Sequence, residues 1–225
     1  MSTTASRVGL LEAIAAYVGR DWTSARKGAL DYYDAAEGEM DSRWTTLLWP
    51  FLEGCNFETC VDLAVGHGRN TAKLLQQKDC QKVYCVDINQ DNINFCSERF
   101  ADEPRVVCIK NNGANLPEIP PYSITMFYCF DAMVHFDSDI VRSYLAEIAR
   151  LLAPLEGRAF LHHSNYTGNP GGDVHKNPHW RNFMSAELMK HYAAKEGLAV
   201  EKQQLLDWNW DGTNIDCFTL LRHAE

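Results

Sequence analysis

The chain has 225 residues and a formal net charge of −9 at pH 7. This acidic balance opposes binding to phosphate backbones, so we expect no nucleic-acid partner. No apolar run is long enough to cross a bilayer and the amino terminus lacks the order of a signal peptide, which predicts a soluble, cytoplasmic protein without a membrane partner. Several of the eight cysteines lie in apolar runs and none forms the close pairs of a zinc site, as expected in a reducing compartment.

The first 55 residues are predicted to form a helical cap segment (residues 1–55). Apolar side chains recur at helical spacing over Val8–Val18 and Asp41–Leu52, which predicts two amphipathic helices. Between them, Tyr32 and Tyr33 either dock the cap segment onto the rest of the protein or contact a ligand there.

Residues 56–225 are predicted to form one α/β domain in which strands and helices alternate. Alternation of this kind implies a parallel sheet covered by helices on both faces. The predicted strands, rich in Val, Ile, Phe and Tyr, span Cys60–Ala64, Lys82–Val86, Arg105–Ile109, Ile124–Phe130 and Arg158–His162. The predicted helices span Asn70–Gln77, Gln90–Phe100, Asp139–Leu152 and Ser185–Glu196, with Asp137 or Ser138 capping the third and Ser185 opening the fourth.

The pattern changes after Gly197, where Leu198–Lys202 and Ile215–Leu221 are predicted as two strands with no helix between them. Such a hairpin inserts one antiparallel strand into a parallel sheet. The predicted fold class is therefore an α/β three-layer sandwich with a mostly parallel seven-stranded sheet, its last strand antiparallel, preceded by an N-terminal helical segment.

A glycine turn follows the first strand of this domain. Gly66 and Gly68 allow the backbone to turn tightly and leave room for a ligand pressed against bare peptide groups. Asp87 ends the second strand, where an acid accepts hydrogen bonds from the two hydroxyls of a ribose. The pattern therefore predicts a nucleoside-binding site. A plain tight turn would not explain the acid that precedes it, Asp62, or the acid at the end of the next strand, Asp87.

The acid before the turn selects among nucleoside cofactors. In a dinucleotide site a helix amino end faces a pyrophosphate, so an upstream negative charge is unfavourable and a third glycine packs the helix on the strand. Here Asp62 lies four residues before Gly66, and Thr71 stands in place of the third glycine. An aspartate suits a ligand with an ammonium group and a sulfonium centre, which indicates S-adenosylmethionine.

These residues resemble the first motif of the class I, Rossmann-like S-adenosylmethionine-dependent methyltransferase family. The motif's acid and small residues correspond to Asp62, Ala64, Gly66 and Gly68, with Ala64 replacing the first glycine, and the ribose acid corresponds to Asp87. The terminal hairpin also resembles the closing feature of that fold. The resemblance implies five further cofactor contacts, which are Ile88, Asn112 and Gly113 near the adenosine, Phe130 beside the methionine portion and Tyr33 from the cap segment. For Asn112 a turn-forming Asn-Gly pair is a nearly equal interpretation, and it does not exclude the adenine contact.

Four residues at the carboxyl ends of strands are candidates for the methyl-transfer chemistry. Asp131 falls where the family lines the transfer point. For His135, one helical turn later, four roles are open: it orients Asp131, assists as a base, joins Asp131 in a metal site or is structural. His162 and His163 end the fifth strand, and because strand neighbours point oppositely only one of them faces the cofactor side. One of this pair is our preferred general base, with a structural pair at the sheet edge as the alternative.

The long loop that follows is a candidate acceptor-binding segment. A glycine-rich connection beside a catalytic edge is commonly a lid or a substrate contact. Its candidate residues are His175, His179, Trp180 and Arg181, with Trp208 from the last hairpin as an opposite wall. A guanidinium there can pair with an anionic group, and an indole offers a stacking face.

We therefore expect a methyltransferase that acts on a small polar molecule, with a hydroxyl of a sugar-like or phenolic acceptor favoured over a nitrogen. The alternatives are N-methylation, a non-catalytic S-adenosylmethionine-binding protein and, less favoured, a nicotinamide-dependent oxidoreductase. The histidines lack self-contained metal-ligand spacing, so no metal site is assigned and a divalent ion is kept as a minor option. The sequence does not indicate an oligomeric state.

Overall fold

A computed structural model describes residues 3–208 and 210–224 of the chain. Seven strands form one sheet in the order β3-β2-β1-β4-β5-β7-β6, parallel except for β7, which runs antiparallel to both β5 and β6. Their bounds are β1 Thr59–Leu63, β2 Lys82–Asp87, β3 Val106–Lys110, β4 Met126–Cys129, β5 Arg158–Ser164, β6 Leu198–Leu206 and β7 Asp216–His223. The predicted fold class, including the terminal hairpin, is confirmed.

Seven α-helices flank and cover the sheet within the described residues. They are α1 Thr3–Gly19, α2 Lys27–Arg43, α3 Trp49–Leu52, α4 Arg69–Leu74, α5 Gln90–Arg99, α6 Ser138–Leu151 and α7 Ala186–Lys195. A π-helical turn, Trp44–Leu48, joins α2 to α3, and single 3-10 turns span Met133–His135, Val174–Lys176 and Pro178–Trp180. In these same parts of the chain, no helix combines the length and apolar character that crossing a bilayer requires.

Each face of the sheet carries its own apolar core. On one face α6 buries six side chains against the strands, namely Ile140, Val141, Tyr144, Leu145, Ile148 and Leu151. On the other face the turn after α2 and helix α3 bring Trp44, Leu48 and Phe51 onto β1, β4 and β5. The two cores fix the carboxyl ends of β1, β2 and β4 at one edge, where the sequence places its candidate site.

The caps follow the sequence closely. The Asp137 side chain accepts a hydrogen bond from the Asp139 backbone N–H at 2.8 Å, and Ser185 accepts one from Leu188 at 3.0 Å. Each therefore satisfies a backbone donor that a helix start leaves without a partner.

The cap segment differs from the prediction in one important respect. Tyr32 and Tyr33 were expected between two helices, but they lie inside α2, which starts at Lys27. The helix forms there because the good helix formers Ala, Glu, Met and Arg make up six of the ten residues after Tyr33, which outweighs the cost of Gly28 and Gly38. The helical position brings both rings over the carboxyl edge of the sheet. The fourth strand is also shorter than predicted, because the backbone turns into a left-handed conformation at Asp131 (φ 59°).

Replacing Leu145 by Ala tests the core under α6. Leu145 is fully buried, so we expect the free energy of unfolding to fall by about 2–5 kcal/mol through lost apolar burial and a residual cavity. The same change at Leu155, which is 90% exposed, is the matched control and should cost less than about 0.5 kcal/mol. Chemical denaturation measures both, and equal losses would contradict this packing.

Candidate functional site

A cavity lies at the carboxyl ends of β1, β2 and β4, beneath α1 and α2 of the cap segment. Its empty space, counted with the part that is open to solvent at the mouth, is about 980 Å³. Seven of the ten predicted cofactor residues line it, namely Tyr33, Ala64, Gly66, Asp87, Ile88, Gly113 and Phe130. The strand topology therefore gathers at one place residues that are far apart in the chain, as expected for a site at the strand ends of an α/β sheet.

The glycine turn is held by a contact that only glycine permits. Gly66 has a left-handed φ of 53°, and a Cβ built on it would lie 2.6 Å from Cε1 of Tyr33. Its N–H donates to Oδ2 of Asp87 at 3.0 Å. Gly68, with a φ of 83°, then opens α4 and packs under Phe100 without lining the cavity. Ala64 also has a positive φ, 58°, where a glycine would avoid about 1–2 kcal/mol of strain.

Asp87, the predicted ribose acid, is held by three hydrogen bonds. Its carboxylate accepts from the backbone N–H groups of Gly66 and Asn89, at 3.0 and 2.8 Å, and from Nδ2 of Asn92 at 3.2 Å. Burial raises the pKa of Asp87, and these donors limit the rise. The strand end and the turn thus hold the acid in one orientation beside the cavity.

Asp62 is fully buried, and only one of its two carboxylate oxygens has a hydrogen-bond partner. Its Oδ2 accepts from the hydroxyl of Thr71 at 2.7 Å, which explains the threonine in place of a third glycine. Its Oδ1 has no hydrogen-bond partner within the described chain, and neither has Oδ1 of Asn70, on the first turn of α4. Burial raises the pKa of Asp62 to about 7, with Thr71 and Arg69 opposing the rise. Asp62 itself lies behind the cavity wall rather than in its lining.

A buried asparagine ties the cap segment to the ribose acid. Asn92 donates to the carbonyl oxygen of Trp22 at 3.0 Å as well as to Asp87, and its Oδ1 accepts from the N–H and the hydroxyl of Ser24, at 3.1 and 2.6 Å. Tyr33 donates to the same Trp22 carbonyl at 2.5 Å. The loop between α1 and α2 is therefore closed over the cavity by polar contacts that converge on Asn92.

Aromatic stacking completes this closure. The His67 ring lies between Tyr33 and Phe95, with centroids 4.2 and 3.7 Å away, and its Nε2 is hydrogen-bonded to the Ser24 hydroxyl at 2.8 Å. His67 belongs to the glycine turn itself, so the turn, α5 and the cap segment form one stacked unit.

Five side chains around the end of β4 form what we call the transfer cluster: Trp22, Tyr32, Arg69, Asp131 and His135, all of which line the cavity. Oδ2 of Asp131 accepts from the hydroxyl of Tyr32 at 2.6 Å and from Nη2 of Arg69 at 3.0 Å. Burial acts to raise the pKa of Asp131, but Arg69 and these hydrogen bonds bring it below its ordinary value. Asp131 is therefore an ionised carboxylate, and burial raises the pKa of Tyr32 so that its phenol stays protonated.

His135 faces the cavity in one defined tautomer. Its Nδ1 lies 2.9 Å from the carbonyl oxygen of Trp180, which can only accept, so Nδ1 carries the proton. The Nε2 lone pair has no partner among the residues described here. The ring stacks on Trp22 with centroids 4.9 Å apart, and burial, reinforced by the charge of Arg181, lowers the pKa of His135 to about 4. The imidazole is therefore neutral near pH 7.

The other two predicted catalytic histidines lie outside the cavity lining. His162 is fully buried, accepts from the Asp131 N–H at Nδ1 (3.2 Å) and donates from Nε2 to Asp216 (3.1 Å). His163 is bonded to the Ser164 carbonyl and the Thr219 hydroxyl, at 2.9 and 2.8 Å. All four ring nitrogens are occupied, so the geometry does not favour either as the base. His162 instead holds the strained backbone of Asp131.

The predicted acceptor-binding residues also lie outside the cavity lining. His175 is bonded to Asp21 and Asp173, and the exposed His179 forms a left-handed turn. The guanidinium of Arg181 donates to both carboxylate oxygens of Asp216, at 2.8 and 2.6 Å. Arg181 is therefore not free to pair with an anionic acceptor. Trp180 packs edge-on against Trp22 at 5.8 Å, and Trp208 packs on Phe130 and His162. This loop supports the transfer cluster from behind.

Asn112, the predicted adenine-binding residue, lies outside the cavity lining. Asn112 accepts from the N–H groups of Ala114 and Asn115, at 3.0 and 3.1 Å, so it forms the turn that was the competing interpretation. Asn111 lines the cavity instead, with its side chain donating to Tyr144 at 2.7 Å.

Two further properties of the site concern metals and thiols. Among residues 3–208 and 210–224 no group of three or more His, Cys, Asp and Glu side chains is arranged to hold a metal ion. All eight cysteines are free thiols.

Comparison with known proteins agrees with this architecture. A family model described as a methyltransferase domain matches residues 60–155, which include the glycine turn, Asp87 and the transfer-cluster residues Asp131 and His135. Residues 60–155 thus match a methyltransferase domain, and the seven-stranded sheet has the methyltransferase α/β fold.

Individual relatives are distant. A 55-residue segment is 36% identical to the ribosomal RNA small subunit methyltransferase H of Mycoplasma pneumoniae, covering 24% of this chain and only 18% of that protein. A methyltransferase from Clostridium acetobutylicum superposes with a TM-score of 0.65 at 14% identity, covering 87% of this chain and 98% of the other. A second structure is geranyl diphosphate C-methyltransferase of Streptomyces coelicolor, solved with Mg²⁺, geranyl diphosphate and S-adenosyl-L-homocysteine. It superposes with a TM-score of 0.64 at 15% identity, covering 82% of this chain and 79% of the other. These similarities establish the fold of the domain.

One unpaired polar atom of the lining fits the methionine end of S-adenosylmethionine. Oδ1 of Asn70 is a buried acceptor without a partner, as an ammonium group requires, whereas the unpaired Oδ1 of Asp62 lies outside the lining. Asp87 keeps acceptor capacity for ribose hydroxyls, and Ile88 and Gly113 offer apolar walls to a purine. Asn70, Asn92, Arg69 and Trp22 were not predicted from the sequence. A polar residue on the first turn after a glycine motif is the one signal that points to Asn70 and Arg69.

Replacing Gly66 by Ala should abolish S-adenosylhomocysteine binding, because the new methyl group collides with Tyr33 in a left-handed backbone. Gly54 is a matched control: its φ is 87°, but a Cβ there meets no atom within 4 Å. Gly54→Ala therefore carries the backbone strain without the collision and should bind normally. Calorimetric titration measures both, and parallel losses in the two variants would show that strain alone is responsible.

The buried Asp62 predicts a pH dependence of stability. An unfolded aspartate has a pKa of about 4, whereas the folded Asp62 has a pKa of about 7, so the folded state holds the extra proton between these values. The Asp62 contribution to stability is complete below pH ~4 and is lost as the pH rises through about 7. Asp62→Asn should remove this component from a pH series of unfolding free energies, whereas the exposed Asp34→Asn should leave it. If Asp62→Asn showed the same pH dependence of the unfolding free energy as the wild type, Asp62 would not be its source.

Proposed function

We propose that the protein transfers a methyl group from S-adenosylmethionine to a hydroxyl group of a small polar molecule bound at the transfer cluster. The observation that carries the proposal is the neutral His135 ring, which lines the cavity with a fixed tautomer and an unpaired Nε2. A nitrogen acceptor already has a free lone pair, whereas a hydroxyl must lose a proton.

When bound, S-adenosylmethionine supplies an electrophilic methyl group on a positively charged sulfur. The remaining tasks fall to the chain. Nδ1–H of His135 is held by the Trp180 carbonyl at 2.9 Å, so Nε2 can take the hydroxyl proton as the new carbon-oxygen bond forms. The acceptor oxygen becomes far more acidic as it is methylated, so an imidazole with a pKa of about 4 is a sufficient base.

The other members of the cluster position the acceptor and exclude water. Asp131 is fixed by Tyr32, Arg69 and the backbone contact to His162, which leaves its Oδ1 as a hydrogen-bond acceptor beside the cavity. Trp22 covers His135 from the cap segment. Restricting the acceptor to one orientation supplies much of the rate in a displacement of this kind.

The helices over the cavity and the charge of the chain favour a small acceptor over a nucleic acid. Helices α1 and α2 cover the strand ends, and the chain carries a net charge of −9. Eight free cysteines fit a reducing compartment. No residue of the transfer cluster requires a divalent ion in this scheme.

Replacing His135 by Gln tests the proposed base. The amide keeps a donor for the Trp180 carbonyl but cannot take a proton, so we expect a ~10²–10⁴-fold lower rate of S-adenosylhomocysteine formation in an acceptor panel. Cofactor affinity should not change. The exposed His191 on α7 provides the control, since His191→Gln should keep full activity. Unchanged turnover in His135→Gln would remove the base assignment, and loss of cofactor binding would indicate a structural role.

A further inference from the structure

Two hydrogen-bond donors in the transfer cluster are buried without partners. They are Nη1 of Arg69 and Nε1 of Trp22, and both residues line the cavity. Arg69 is 8% exposed as a whole residue. A buried donor without a partner is rare in a folded protein because it loses its hydrogen bonds to water and gains none. Two of them in one cluster point to a ligand group that accepts.

These donors form a polar group distinct from the acceptor that suits the ammonium of the cofactor. That acceptor is the unpaired Oδ1 of Asn70, in the cavity lining. Arg69 is instead turned toward the end of β4, where Nη2 bonds to Tyr32 and Asp131 at 3.0 Å each. Trp22 stacks on His135 and meets Tyr32 edge-on with centroids 5.1 Å apart. Both donors thus belong to the group of side chains that contains the proposed base.

The guanidinium of Arg69 can take a second anionic partner. Arg69 is paired with a single carboxylate, that of Asp131, and its Nη1 has no partner within the described chain. The other acids of the lining have different partners: Glu37 is paired with Arg99 at 2.7 Å, Asp87 accepts from backbone N–H groups, and Asp137 caps α6. A guanidinium edge together with an indole N–H matches the two oxygens of a planar carboxylate.

We propose that the methyl acceptor is a hydroxycarboxylate, whose carboxylate is bound by Nη1 of Arg69 and Nε1 of Trp22 while its hydroxyl faces Nε2 of His135. This inference rests on the proposed methyl transfer and adds the chemical class of the acceptor. The loss of the sulfonium charge after transfer would weaken the hold on the product anion and so favour its release.

The test compares matched ligands on the protein saturated with S-adenosylhomocysteine. The probes are salicylate and mandelate, each paired with its carboxamide, which keeps the shape and hydroxyl but removes the charge. We expect at least one carboxylate to bind ~10-fold or more tightly than its amide, the effect of a charge-assisted hydrogen bond. Trp22→Phe keeps the ring and removes only the N–H, and Arg69→Gln removes the charge. Each should abolish most of that preference.

The control is Trp49→Phe, since Trp49 lies outside the cavity lining and stacks on Phe57. It should retain the preference. Unfolding curves establish that each variant is folded, and S-adenosylhomocysteine affinity is measured for each by calorimetry. Trp22→Phe and Arg69→Gln should bind S-adenosylhomocysteine as the wild type does.

Three results would overturn the inference. If no carboxylate binds more tightly than its amide, or no carboxylate binds at all, the two donors do not recognise an acceptor anion, and methyl transfer to another acceptor still stands. If Arg69→Gln lowers S-adenosylhomocysteine affinity instead, its guanidinium holds the cofactor's own carboxylate. Absence of S-adenosylhomocysteine binding in the wild type would reject the proposed function as well, which distinguishes the two failures.

Discussion

The hydrogen bond between the Gly66 N–H and the Asp87 carboxylate is the contact on which the site depends. It joins the turn after β1 to the end of β2 at 3.0 Å, and it orients the acid while keeping the turn narrow. The left-handed backbone at Gly66 then allows the Tyr33 ring to lie against the turn, which no residue with a Cβ would permit. One small residue therefore determines where the acid points and how closely the cap segment approaches.

The cap segment is part of the site rather than an attachment to it. Asn92 links the Asp87 carboxylate to the loop that carries Trp22 and Ser24, so the ribose acid and the closure share one buried side chain. Because Trp22 also stacks on His135, this closure reaches the transfer cluster. Acceptor binding and cofactor binding are physically connected through contacts that the sheet alone would not provide.

Residues governed by local rules were predictable from the sequence. The succession of strands and helices, the terminal hairpin and the caps at Asp137 and Ser185 follow from periodicity and short-range hydrogen bonding, and the cofactor turn was predicted from the spacing of Gly66, Asp62 and Asp87. The roles of His162 and Arg181 were not predictable, because both depend on Asp216, a residue on the distant β7. Sequence separation hides such pairs, and a histidine at a strand end has the same local pattern whether its nitrogens are free or occupied.

The same reasoning explains why His135 was ranked below His162 and His163. Its value as a base comes from the Trp180 carbonyl, which fixes the tautomer from a loop 45 residues away. Nothing near His135 in the chain encodes that contact. Arg69 and Trp22 were missed for a related reason, since an unpaired donor is visible only when every neighbour in space is known.

Competitive calorimetry with S-adenosylhomocysteine and NAD⁺ tests the central claim most directly. If Asp62 and the Gly66 turn select a sulfur-bearing nucleoside over a pyrophosphate, one equivalent of S-adenosylhomocysteine binds per chain and excess NAD⁺ does not displace it. Displacement by NAD⁺, or binding of NAD⁺ alone, would contradict the account.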